Sequence, residues 1–424
     1  MKRIAILVLA LALAGAVGAA RQPSPALLAL VNARIVPVSS APIERGTLII
    51  AGERITAMGP QVAVPSGALR IDCTGLSVYP GMIELQTSVG LAEIGQVPVT
   101  RDTTDIGEFH PQLVAVNAFN VESAHIGVTR EGGVTTVLSC PSGNLIAGQA
   151  TLFDLHGWTT RSMVVRERGA LIVEWPRAGG FGRFGGGGAE GGNPSARIES
   201  LRRFFTDAKN YRPGSDRPNL AYEAMQPYLR GELPVILRAS READLKAAIA
   251  FAEQFGLEAV LAGAHEAPKI ASLLAEKRIG VIYGGLFSLP FENSDPYDTI
   301  FAGPAALQRA GVKFAITTGG DTANARNLPF HAAAAVAFGL DEEAALRAIT
   351  LTPAELMGIE RDYGSLAVGK VANCFVATGS PLDARTQIRA VIIRGEIVRE
   401  PSRHEQLYRK YLERLTGASA GAGR

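Results

Sequence analysis

The chain has 424 residues, with 42 lysines and arginines against 40 aspartates and glutamates, a formal charge of +2. So small a surplus, with no basic stripe interleaved by aromatics, excludes a nucleic acid as the expected partner. At 47% hydrophobic and 19% charged residues, the composition is that of a globular protein with room for one large domain and a smaller one. Three cysteines, Cys73, Cys140 and Cys374, are too few for a disulfide framework, and no CxxC or Cys/His zinc spacing occurs. They read as buried small hydrophobes, although Cys73 and Cys374 could meet if the two chain ends pack together.

Met1-Lys2-Arg3, an apolar run from Ile4 to about Val17 and the small residues Gly18-Ala19-Ala20 have the order of a secretory signal peptide. The run is shorter than the roughly 20 apolar residues of a membrane anchor. Cleavage near Ala19 or Ala20 is expected, leaving residues 1–20 behind and placing the protein in the periplasm or outside the cell without stable membrane insertion.

From Leu27 to Val78 short strands alternate with turns. Ala33–Val38, Gly46–Ile50, Arg54–Met58 and Leu69–Asp72 alternate apolar and polar residues, punctuated by Gly52, Gly59-Pro60 and Pro65-Ser-Gly67. Residues 21–80 read as half of a small β-sandwich. Residues 363–402, with Cys374–Ala377 and Ile388–Val398, have the character of its other half, followed by a helix and tail over 403–424.

Between them, residues 81–362 change rhythm to strand, loop, helix. Strand candidates are Met82–Gln86, Gly133–Leu138, Ala150–Asp154, Pro234–Leu237, Glu258–Leu261, Gly280–Tyr283 and Val312–Thr317. In Glu242–Gly256, Leu245, Ala248, Ile249, Ala252 and Phe255 share one helical stripe. Helices are also expected at Ala267–Lys277, Pro304–Ala310 and Asp341–Ala348, and Thr352-Pro-Ala-Glu355 reads as an N-cap with a capping box. This alternation predicts an α/β fold with a parallel sheet and crossover helices. Its length suits a (β/α)₈ TIM barrel, whose site lies at the C-terminal strand ends. The segment Arg177–Pro194 contains Gly180-Phe-Gly182-Arg-Phe-Gly185, a formal GxGxxG, but within a longer glycine run that leads to Asn193-Pro194. It reads as an insertion over the barrel mouth or a surface loop, not as a dinucleotide site. There is no P-loop and no GxSxG elbow.

Val78-Tyr-Pro-Gly-Met-Ile-Glu84, Gly133-Val-Thr-Thr136, Ala348–Gly358, Gly364–Lys370 and Val371-Ala-Asn373 resemble motifs of the amidohydrolase superfamily, and within it most closely those of the imidazolonepropionase-related enzymes. The resemblance implies hydrolysis of carbon–nitrogen bonds in small-molecule amides or cyclic amides by one or two divalent metals, zinc or magnesium. It also implies an HxH pair on strand one, histidines on strands five and six, and a strand-eight aspartate as base. At those positions this chain carries Gln86 and Ser88, then Ser240 beside Arg238, then Gly263 with His265 close by. Only Asp321 matches. Lys209 is placed mid-helix, so a bridging carbamate is not expected, and Glu174 is the nearest stand-in. A harder ion on Gln86 with Glu84 or Glu93 is one alternative to a metal-free mouth.

The implied roles are Asp321 as base and Arg238 and His265 as groups that bind or polarise substrate. Arg326 and His331 either reach the mouth or serve in capping and packing. Two classes stand: an exported hydrolase with a degenerate metal site, or an inactive pseudoenzyme that binds or scaffolds an active relative. A homodimer, or a dimer with a related chain, is compatible with either.

Overall fold

The structure is a computed structural model and describes residues 27–176, 193–212, 214 and 218–416. The expected signal peptide and nearly all of the glycine-rich segment lie outside the described residues.

The first strand, β1 (Leu27–Ile35), is the hinge of the smaller domain. It pairs antiparallel with β2 (Ile43–Ala51), which in turn pairs with β3 (Arg54–Gly59). On its other edge β1 divides: Leu28–Val31 run parallel to β4 (Leu69–Asp72), while Arg34 and Ile35 run parallel to β5 (Ser77–Pro80). Leu30, Ile35, Leu48, Ile50 and Val78 fill the space beneath, and all are buried.

Eight strands then form the barrel in sequence order: β6 (Met82–Thr87), β7 (Val134–Ser139), β8 (Ile146–Asp154), β9 (Val164–Glu174), β10 (Val235–Ala239), β11 (Ala259–Gly263), β12 (Gly280–Gly284) and β13 (Phe314–Thr317). A parallel bridge between Thr87 and Gly320 closes the ring. Gly81, in the Pro80-Gly81 turn, admits β6 to this ring because a Cβ there would lie 2.0 Å from Thr135 Oγ1. The carboxyl-terminal strands β14 (Cys374–Ala377), β15 (Ile388–Ile393) and β16 (Glu396–Ile397) extend the first sheet through β5, in antiparallel pairing with β14. Both chain ends therefore build one small β domain, as the sequence predicted. Cys73 and Cys374 are buried in its core as free thiols.

Helices surround the barrel: α1 (Ala124–Glu131), α2 (Thr160–Met163), α3 (Pro194–Asn210), α4 (Leu220–Leu229), α5 (Glu242–Phe255), α6 (Ala271–Lys277), α7 (Thr299–Arg309), α8 (Leu328–Ala337), α9 (Glu342–Ala348), α10 (Leu351–Leu356) and, at the tail, α11 (Arg403–Thr416). The predicted stripe of α5 is its buried face, and Gly256 ends the helix in the left-handed conformation at φ 69°. Pro304 lies inside α7 instead of starting it. The N-cap of α10 is Thr350, not Thr352, and Glu355 pairs with Arg347 and Lys313 instead of closing a capping box. Among the described residues no helix is long and apolar enough to cross a membrane.

The expected all-parallel sheet needs correction. β8 runs antiparallel to both β7 and β9. It begins at Ile146, four residues before the predicted start at Ala150, so only Cys140–Leu145 remain as linker. A crossover between parallel strands needs roughly a dozen residues, and this linker can only reverse the chain. The reversal sends Asp154 to the base of the barrel, away from the mouth. There its carboxylate, fully buried, accepts from Thr136 Oγ1 (2.9 Å), Asn373 Nδ2 (2.7 Å), Tyr363 OH (3.1 Å) and Arg394 Nε (2.7 Å). Asn373 and Arg394 come from the small domain, so this knot ties the two domains together.

Candidate site at the barrel mouth

The mouth is formed by the carboxyl ends of every barrel strand except β8, which contributes its amino end. β6 brings Glu84, Gln86 and Ser88. Glu84 is fully buried, and its carboxyl group accepts from Gln86 N (2.9 Å), Thr318 N (3.0 Å) and Thr317 Oγ1. Burial pushes its pKa up to about 7, only partly offset by these hydrogen bonds. Gln86 Oε1 is buried without a hydrogen-bond partner, and the Ser88 hydroxyl lies 2.9 Å from Thr322 Oγ1.

On the far side, parallel register sets Arg238 of β10 directly beside Glu174 of β9. Arg238 Nη1 donates to Glu174 Oε1 at 2.7 Å and to Pro141 O at 3.2 Å, and its side chain is only 12% exposed. Burial works against this charge, but Glu174 outweighs it and holds the guanidinium above its ordinary pKa. Beside them the Cys140 thiol is pushed up to about 11 by burial, so it is inert as a nucleophile near neutral pH.

After β11 the chain turns through Gly263 (φ 80°) and Ala264, carrying His265 past the strand end. The imidazole packs edge-on against Tyr283 and Phe291, with ring centroids 6.1 and 5.3 Å away. Ser240, at the end of β10, lies beside Gly263. Asp321 follows β13 as expected, but it is exposed, and its carboxylate caps the turn Thr322–Asn327 by accepting from Ala323 N at 2.9 Å.

Two predicted mouth residues lie elsewhere. Arg326 faces His404 of α11 and lines a cavity with Gly132, which leads into the amino end of β7, opposite the mouth. His331 is buried on α8 against Phe287, and burial pushes its pKa down to about 4, so packing describes it better than substrate binding. Two other histidines have structural partners: His125 meets Glu93 O and His156 pairs with Glu396. His110 is buried in the connection after β6.

These donors do not suit the metals that the resemblance implies. Among the described residues no three His, Cys, Asp or Glu side chains are grouped to hold a metal ion. Zinc sites ordinarily use three or four such ligands. Glu84 is taken up by strand-end donors, Glu174 by Arg238 and Asp321 by its cap, while Glu93 accepts from Asn120. A buried guanidinium at the end of β10 would moreover repel a dication. The near-neutral carboxyl of Glu84 escaped the sequence reading except as a ligand for a hard ion, although a lone acid within Met82-Ile-Glu-Leu85 was its signal.

The Amidohydrolase family profile matches residues 236–398. An amidohydrolase from Thermotoga maritima MSB8 is 25% identical over 88% of this chain and 100% of its own, with a TM-score of 0.77. A prolidase complexed with N-methylphosphonate-L-proline covers 88% of this chain and 100% of its own at 16% identity and TM-score 0.56. An adenosine deaminase from Xanthomonas campestris with bound zinc covers 93% and 100% at 15% identity and TM-score 0.53. At those identities the last two speak to the fold alone. No curated protein matches the chain. The barrel, its small domain built from both chain ends and these matches give the chain the fold of the amidohydrolases, with the family's profile matched over residues 236–398.

Proposed function

We propose that this chain is an exported amidohydrolase-fold protein whose mouth binds a small amide-bearing molecule without a paired-metal centre. In this reading the fold serves as a binding or scaffolding partner, with the metal-ligand positions given over to other residues. The observation that carries it is the Arg238–Glu174 pair, a donor and acceptor side by side at 2.7 Å on the strand end that leads to Ser240, where a metal histidine is implied. Such a pair presents N–H and carboxylate groups together, which suits the C=O and N–H groups of an amide. Export rests on the amino-terminal residues Met1–Ala20.

A second reading, metal-free hydrolysis of a C–N bond, is favoured by one observation: Glu84, with a pKa of about 7, could exchange protons near neutrality. The two readings part on turnover. The full chain is incubated with a panel of linear and cyclic amides in chelator, alongside Glu84→Gln and Asp321→Asn. The binding reading predicts saturable binding by calorimetry, weakened by Arg238→Met, with no turnover. Chelator-resistant turnover lost in Glu84→Gln would overturn it in favour of the second.

A further inference from the structure

Arg326 has a setting that the barrel mouth does not explain. It lines a cavity of about 420 Å³ between α1, α8, the β14–β15 connection and α11. That volume lies within the range of small-molecule sites, roughly 300–1,000 Å³. Two kinds of surface meet there. Val128, Pro329, Phe330, Pro381 and Ile388 give apolar walls, and Phe330 is 42% exposed although it is a large apolar side chain on a packed helix. At the other side Arg326 Nη1 lies 3.0 Å from Nδ1 and 3.2 Å from Nε2 of His404, so two basic groups face the same space.

Two carboxylates line this space, and each has a contact of its own away from Arg326. Glu131 accepts from Ser402 N at 3.1 Å. Asp383 is gripped by its own neighbour Arg385, whose Nε and Nη2 reach the two carboxylate oxygens at 3.1 and 2.8 Å. Arg326 therefore meets an imidazole where an ion-paired arginine would meet an acid. A guanidinium with its donor fork turned to a cavity is suited to a carboxylate.

We propose that this cavity is a binding site for an amphipathic organic acid, its carboxylate on Arg326 and His404 and its hydrocarbon body against Val128, Phe330 and Ile388. The site lies away from the mouth, at the seam where the barrel, the small domain and α11 meet. Ligand there would fasten α11 to α1 and α8.

Decanoate is the probe, with decylamine as the cationic control, each titrated calorimetrically into the full chain. The wild type is expected to bind decanoate and to bind decylamine at least tenfold more weakly. Arg326→Gln should weaken decanoate on the order of tenfold or more, the loss of a charge-assisted contact, while Arg326→Lys restores part of it. Val128→Trp should block the apolar part of the cavity without altering charge, and circular dichroism would show that each variant folds. Absence of decanoate binding by the wild type, equal binding of decylamine, or unchanged binding by Arg326→Gln would each overturn the assignment. These outcomes do not depend on the amide-binding reading of the mouth, which is read from Arg238.

Discussion

Replacing Glu84 with glutamine probes the most unusual group in the mouth. In the folded chain this carboxyl is fully buried, accepts three hydrogen bonds and has a pKa raised from 4.5 to about 7, chiefly by burial. In the unfolded chain it titrates in the ordinary range. Folded protein therefore holds the proton more tightly, and its contribution to stability is complete below about pH 4.5 and lost as the pH rises through about 7. A shift of that size corresponds to about 3 kcal/mol. Glutamine cannot ionise, so it removes this slope. It also disturbs the contacts with Thr317 and Thr318, a fixed cost of about 1–3 kcal/mol. Taking the difference between two pH values cancels that cost. Urea unfolding of wild type and Glu84→Gln at pH 5 and pH 8 is the assay. The variant should lose about 2.5 kcal/mol less than the wild type between them, because the unfolded carboxyl is already partly ionised at pH 5. A change of less than about 1 kcal/mol would refute the assignment of Glu84 as a group that is neutral when buried.

At the barrel base, Arg394→Met leaves the fully buried Asp154 without its cation and should cost about 3–5 kcal/mol in urea unfolding. Asp154→Asn should cost less, because Arg394 is 25% exposed and can turn its charge to water. An equal or reversed order would contradict the burial argument. Gly81→Ala forces a Cβ to within 2.0 Å of Thr135 Oγ1 at the step from the small domain into the barrel. It should destabilise by about 1–3 kcal/mol, read as a lower urea midpoint. Arg238→Met strips Glu174 of its partner and should lower stability by about 1–3 kcal/mol, read as a lower urea midpoint. An unchanged midpoint would show that the pair does not hold the mouth together.

Much of the architecture could be read from the chain. The Pro80-Gly81 turn, the alternating strands at both ends and the strand–helix rhythm between them gave the two-domain plan. The direction of β8 could not be read, because Ile146-Ala-Gly-Gln149 resembles loop sequence. Gly148, at φ 134°, and the polar Gln149 hide the first turn-facing residues of a strand. Arg238 was legible as a strand-end residue. Its partner Glu174 was not, since it stands 64 positions away and meets it only through the β9–β10 register. Asp321 stands where the motif spacing put it, but its orientation follows a local rule: aspartate before a helical turn caps that turn. His331 had a similar signal, lying in the apolar helix Leu328–Ala337, where a histidine packs more readily than it binds substrate. The glycine-rich stretch and the amino terminus remain sequence expectations.

We propose that the mouth of this barrel does not hold a paired-metal centre, since Arg238 and Glu174 pair with each other and Glu84 and Asp321 accept from nearby donors. Elemental analysis of the purified full chain, after equilibration with zinc and separately with magnesium and gel filtration, tests it most directly. Metal far below one ion per chain is the predicted result, and it should stay so in Arg238→Met. One or more tightly held ions per chain, lost on substituting Asp321 or Glu174, would contradict the account.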